Sequence, residues 1–231
     1  MRLIHLAIML AAAAVFFWGT ASKPAAGQQP DWSAAIALAP GGGHAIGNPA
    51  APVKLIEYIS YTCPHCAHFQ QQSEMPMLRD FIRPGKVQVE VRHLIRDPID
   101  MTAAMLANCG APGRFLANHS MFLQSQARWI GVLDKATAAQ EARWASGDNL
   151  ARMRAIAGDF GFYAMMQAHG YDRPTLDRCL ADTATARRIA EQTAAAGKAG
   201  VTGTPMFMLN GVLLAGTYDW ESLNSQLEAR F

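Results

Sequence analysis

Val53-Lys54-Leu55-Ile56-Glu57-Tyr58-Ile59-Ser60-Tyr61-Thr62-Cys63-Pro64-His65-Cys66 joins a short apolar run to a Cys-x-x-Cys pair. The run from Val53 to Tyr58 carries β-branched residues and predicts a buried strand. From Cys63 to about Ile82 the pattern predicts a helix, bent at Pro76, with Pro64 suited to its first position. Val87, Val89 and Val91 alternate with polar neighbours, which predicts a half-buried strand. Between Ile99 and Ala196 the sequence is almost wholly helix-favouring. Leu150, Met153, Ala157 and Phe160 keep helical spacing, as do Leu176, Cys179 or Leu180, and Thr183. Pro174, just after Asp172, suggests a helix start. Met206 to Leu209, the turn pair Asn210-Gly211, and Val212 to Ala215 then predict a hairpin, and Tyr218 to Phe231 an amphipathic helix. A β-α-β crossover combined with a hairpin gives a mixed sheet. The fold class is α/β of the α+β kind: a mixed sheet flanked by helices and interrupted by an all-helical insertion.

The chain has 231 residues, enough for a full hydrophobic core in one domain with an insertion. Charged residues make up only 16%, and alanine is abundant, which disfavours disorder and favours packed helices. Arg2 and Lys23 are the only charges in the first 27 residues, so the remainder carries 18 basic and 18 acidic residues. A neutral body without a Lys/Arg tract is a poor nucleic-acid binder, and none is expected as a partner.

Arg2 precedes an uncharged run from Leu3 to Trp18 and the small residues Gly19-Thr20-Ala21-Ser22. That order predicts a secretory signal over 1–27, cleaved after Ala21 or Gly27; an uncleaved membrane anchor is the alternative. The expected location is the periplasm, where a cysteine pair can stay oxidised. From Pro24 to Pro52 the chain is rich in Gly, Pro, Ala and Gln. This predicts a tether with one short strand around Ala34 to Leu38, too short for a dimerisation domain, so a monomer is expected.

Four chemistries compete for Cys63 and Cys66. Half a zinc site needs two more ligands; His68 would supply one and leave it incomplete. A c-type haem site fails because Ala67, not His, follows Cys66. A structural disulfide of this span would constrain almost nothing. A redox-active dithiol fits best. At a helix N-terminus Cys63 meets unpaired N–H groups and the helix dipole, which favour thiolate, the attacking and leaving species of disulfide exchange. Cys66, one turn inside, is expected to be the buried resolving thiol. His65 adds a potential charge beside the Cys63 sulfur. No cofactor and no metal are expected.

The stretch Glu57 to Cys66, with its Cys-Pro-His-Cys centre, closely resembles the active-site segment of the DsbA-type thiol:disulfide oxidoreductases, thioredoxin-fold proteins with a helical insertion. Val201-Thr202-Gly203-Thr204-Pro205 looks like the cis-proline loop that faces the dithiol in that fold. The resemblance runs from about Ala45 to Phe231. It implies thioredoxin-like parts over 45–98 and 200–231 and a helical insertion over 99–199; the signal over 1–27 and a flexible tether over 28–44, read from composition, precede them. By the same resemblance Cys63 forms the mixed disulfide, Cys66 resolves it, and Glu57 is a buried acid relaying protons to or from Cys66; Pro64 and His65 complete the expected catalytic set. An edge-strand carboxylate in water is the alternative for Glu57. Thr204 is expected to bind substrate through its backbone, as in strand addition, beside a cis Pro205. The implied substrates are unfolded or folding exported proteins with cysteines. The implied redox partner is a membrane-bound DsbB-like protein.

Cys109 and Cys179 remain. In an exported chain a leftover pair favours a structural bridge over two buried thiols, with no catalytic role. His93, His119 and His169 are expected to be isolated structural residues. The functional expectation is an exported disulfide oxidase; a disulfide isomerase or reductase and a metallochaperone are the alternatives.

Overall fold

The computed structural model describes residues 30–231; the expected signal over 1–27 lies outside the described residues. The strands are β1 (Ile36–Leu38), β2 (His44–Ile46), β3 (Val53–Ile59), β4 (Val87–His93), β5 (Met206–Leu209) and β6 (Val212–Leu213). The helices are α1 (Pro64–Pro76), α2 (Pro98–Ala107), α3 (Phe115–Gln124), α4 (Gln126–Ile130), α5 (Ala138–Ala145), α6 (Asn149–Asp159), α7 (Phe162–Ala168), α8 (Arg173–Ala181), α9 (Thr183–Lys198) and α10 (Trp220–Glu228). One sheet orders them β1-β2-β4-β3-β5-β6. Only β3 and β4 pair in parallel, with Leu55 opposite Val89; the other neighbours are antiparallel.

Alternation along β3 decides what lies above and below the sheet. Val53, Leu55, Glu57 and Ile59 are all buried; on this face Phe69, Met77 and Phe81 close the core. Trp220 of α10 packs on Phe69 and Phe81. Tyr58, on the opposite face, packs with Ala196, Val201 and Met206. There α9 meets β4: Gln192 Oε1 accepts from the His93 N–H at 2.8 Å and Thr193 Oγ1 from the Ile95 N–H at 2.9 Å.

The stretch expected as a flexible tether over 28–44 is instead largely built into the sheet. Trp32–Ala34 forms a 3-10 turn, β1 stands where one strand was expected, and β2 pairs with β4. Its glycines serve packing. A Cβ on Gly43 would collide with the Val91 carbonyl, and one on Gly41 with the Arg92 guanidinium, so small residues let this turn lie against β4.

The expected helix from Cys63 to Ile82 holds, but after Pro76 it widens into a π-helical turn over Met77–Ile82. Proline lacks the N–H that the α-ladder needs at that point. The spacing over Leu176 to Thr183 spans two helices, because Asp182 ends α8 and caps α9 by accepting from the Ala184 and Thr185 N–H groups. Similar Asp caps start α2, α6, α8 and α10, each worth about 1 kcal/mol. The hairpin turns at Asn210 and Gly211, both with positive φ, and β6 stops at Leu213. Within the insertion an aromatic core of Phe122, Trp129, Phe160 and Phe162 packs edge to face.

Candidate active site

Helix α1 begins at Cys63, whose extended backbone (φ −86°, ψ 117°) makes it the N-cap, with Pro64 in the first turn. Its carbonyl closes the turn by accepting from the Cys66 and Ala67 N–H groups at 3.2 and 3.3 Å. The sulfur therefore sits over the open end of the helix, where a negative charge is favoured. Hydrogen bonds from the Cys66 side chain, from the Thr204 side chain and from the Cys66 and His65 N–H groups overcome burial and lower the Cys63 thiol to about 4. Cys66 is fully buried, and burial pushes its thiol well above the ordinary range. The two sulfurs are free thiols with opposite tendencies. That asymmetry separates an attacking and leaving sulfur from a resolving one.

Thr204–Pro205 is the cis peptide bond. It places the Thr204 carbonyl 3.1 Å from Cys63 Sγ, which donates to it as a thiol. Pro205 is buried, while Thr202 is exposed and Gly203 and Thr204 half-buried. Polypeptide backbone thus lies open beside the reactive sulfur. Pro64 and His65 are exposed, and the His65 contribution to the sulfur runs through its backbone N–H. His68 is exposed on α1. Among the described residues no group of three His, Cys, Asp or Glu is placed to hold a metal ion.

Glu57 occupies an apolar position of β3, beneath α1. It is 6% exposed, its Oε1 has no hydrogen-bond partner, and burial raises its carboxyl to about 8. The expected acid is therefore interior, not an edge carboxylate in water.

Asp97, just before the insertion, and Asp100 and Gln126 within it hold the loop before Cys63, a function that sequence reasoning missed. Asp100 accepts from Ser60 Oγ at 2.6 Å, the Tyr61 N–H at 2.7 Å and the Arg96 N–H at 3.0 Å. Asp97 accepts from Thr62 Oγ1 at 2.7 Å. Buried Gln126 donates through Nε2 to the Tyr61 and Cys63 carbonyls at 2.6 and 2.8 Å. The only local signal was Asp97-Pro98, a cap and first-turn pair. Nor are His93 and His119 isolated: together with His44 they are buried and surround Phe115, whereas half-buried His169 stands apart from them. Tyr61 packs against His93 and His119.

Cys109 and Cys179 are joined, with Cα atoms 5.5 Å apart across 70 residues. The bond ties the chain just after α2 to α8, outside the Cys63 site.

The sequence profile of the thioredoxin family matches residues 40–229. A protein-disulfide isomerase from Novosphingobium aromaticivorans is 52% identical, with a TM-score of 0.79 over 82% of this chain and 97% of that one. Wolbachia pipientis alpha-DsbA1 shares the fold, with a TM-score of 0.64 and 20% identity over 80% of this chain and 88% of its own. A Rickettsia felis protein named "Putative protein-disulfide oxidoreductase" is 29% identical over 79% of this chain, which spans 58% of that relative's length. The sheet with its helical insertion, the dithiol at the start of α1 and the matched profile agree, and the chain belongs to the thioredoxin family, with a DsbA-like fold.

Proposed function

We propose that this protein is an exported oxidase that passes its Cys63–Cys66 disulfide to folding secreted proteins. The observation that carries the reading is the Cys63 sulfur at the N-terminus of α1, where hydrogen bonds lower its thiol to about 4. A donor set that stabilises the reduced thiolate makes the corresponding disulfide easier to reduce, hence oxidising. In the forward step a substrate thiolate attacks Cys63 Sγ, the Cys63–Cys66 bond breaks, and Cys66 leaves with the electron pair and takes up a proton. A second substrate thiolate then attacks the substrate sulfur of the mixed disulfide. It forms the new substrate disulfide and releases Cys63 as thiolate. The Thr204 backbone, beside the sulfur, offers hydrogen bonds to an extended peptide without reading its side chains.

Export is supported by the order of Arg2, the apolar run and the small residues after it. No helix among the described residues is long and apolar enough to cross a membrane. The protein works as a monomer and is reoxidised by a membrane-bound DsbB-like partner. Equilibration with glutathione tests the reading: a potential near −120 mV supports an oxidase, and one near the −270 mV of thioredoxin overturns it. The 52% identical relative bears the name protein-disulfide isomerase, which favours isomerisation as a second reading. Recovery of ribonuclease activity from scrambled protein by the reduced form would support that one.

A further inference from the structure

We infer that Glu74 is the proton outlet of the buried acid Glu57, through a water-sized cavity under α1. The inference rests on the oxidoreductase reading above and adds a residue and a route to it. A cavity of about 40 Å³ is lined by Glu57, Gln70, Ser73, Glu74 and His119 among others. That volume admits at least one water, and the walls supply the several polar partners such a water needs. Glu57 Oε1, buried and without a protein partner, is the atom such a water would satisfy. Gln70 lies four residues after Cys66, so the cavity sits one turn further along the face of α1 that carries the resolving thiol.

Glu74 also lines a second, open cavity of about 750 Å³ on the outside of α1 and α3, together with Ser120, Gln124 and Arg128. Ser120 Oγ donates to Glu74 Oε1 at 2.8 Å, and Gln124 Nε2 donates to Oε2. These contacts hold the carboxylate at the wall between the two spaces, half-buried. The other groups around Glu57 cannot serve. His119 uses both ring nitrogens, toward Tyr61 Oη at 3.0 Å and Gln70 Oε1 at 3.3 Å. It is buried, and burial lowers its pKa to about 3. Tyr61 is buried, with its pKa raised by burial, Asp100, Glu57 and Cys66. From β4 and β5 only Val89, Val91 and Phe207 flank the position.

The route serves the step in which Cys66 resolves a mixed disulfide. Cys66 loses its proton to Glu57, and its thiolate attacks Cys63 Sγ. The Cys63–Cys66 bond forms and the partner sulfur leaves with the electron pair. The proton passes from Glu57 through the cavity water to Glu74 and then to solvent. In the opposite direction the same path refills Glu57 after it has protonated the leaving Cys66.

The test is single-turnover resolution of the glutathione mixed disulfide on the full-length protein, followed by tryptophan fluorescence from pH 5 to pH 9. Glu57→Gln is expected to remove the inflection near pH 8 set by the buried acid. Glu74→Gln is expected to keep that inflection and slow resolution about tenfold, since a lost proton-transfer group costs at least that much where transfer limits the rate. Imidazole or formate, small enough to enter the outer cavity, should restore the rate of Glu74→Gln and leave Glu57→Gln unchanged. Equal rates for parent and Glu74→Gln across the range, or slow Glu74→Gln that no added buffer rescues, would overturn the outlet. Failure of the parent to form or resolve any glutathione adduct at Cys63 would instead overturn the oxidoreductase reading.

Discussion

Cys63 and Cys109 are both nearly inaccessible, 3% and 2% exposed, yet their surroundings are opposite. Cys63 lies at the open end of α1 with two backbone N–H groups and the Cys66 side chain directed at its sulfur. Cys109 follows the end of α2, its N–H donates to the Leu106 carbonyl at 3.1 Å, and its own carbonyl accepts from Tyr171 Oη at 2.8 Å. One pair spans a single helical turn and the other spans 70 residues. Burial alone therefore does not set cysteine reactivity here. What differs is that helix N–H donors face the free Cys63 sulfur, while the Cys109 sulfur is bonded to Cys179.

The sharpest break between the pairs comes from removing sulfurs. Cys63→Ser should abolish thiol exchange with glutathione, and Cys66→Ser should accumulate mixed disulfides visible by mass spectrometry. Unchanged turnover in Cys63→Ser would dissolve the contrast. Replacing Cys109 and Cys179 together by Ala should leave exchange at Cys63 intact and lower unfolding free energy in urea by about 4 kcal/mol, on the loop-entropy account for a long loop.

The interior acid gives a test in the sheet beneath the first pair. Glu57 is raised from 4.5 to about 8, so its stabilising share is present below pH 4.5 and lost as pH rises through 8. Glu57→Gln should therefore be more stable than the parent by about 3 kcal/mol at pH 7, and no more stable at pH 4. His44 and His119 act in the other direction. Burial lowers them from 6.5 to about 4 and about 3, so their share holds above pH 6.5 and is lost as pH falls toward those values. Urea midpoints measured from pH 3 to pH 9 check both slopes.

Gln126→Leu leaves the Tyr61 carbonyl without its donor and should cost about 2 kcal/mol. It should also shift the thiolate absorbance titration of Cys63, whose carbonyl Gln126 holds, while Cys109–Cys179 stays intact. A Gln126→Leu protein with parental stability and titration would show that the insertion does not hold the site. The smallest effect belongs to His65→Ser. It should raise the Cys63 titration midpoint by less than about one unit, because the backbone N–H survives the substitution.

The strand from Val53, the helix from Cys63 and the Asn210-Gly211 turn were legible because each is fixed by neighbours in sequence. The β1–β2 turn was not. Its glycines have the composition of a linker, and only the approach of β4 shows that they are there for close packing. The clamp of Asp97, Asp100 and Gln126 was equally hidden, since it joins residues 35 to 65 positions apart and no spacing rule connects them. Glu57 stood out as a charge in an apolar strand, but its isolation from solvent depends on α1 lying over it.

The sheet ends in β1, three residues long, and β6, two residues long. A short edge offers few unpaired backbone groups on which another chain can add as a strand. On the proposed function the protein meets unfolded chains, and such short edges keep accidental edge-to-edge assembly and fibre growth away from the sheet borders. On that reading strand-like contact with a foreign chain is left to the backbone at Thr204, where a captured chain also meets Cys63 and can be released by exchange.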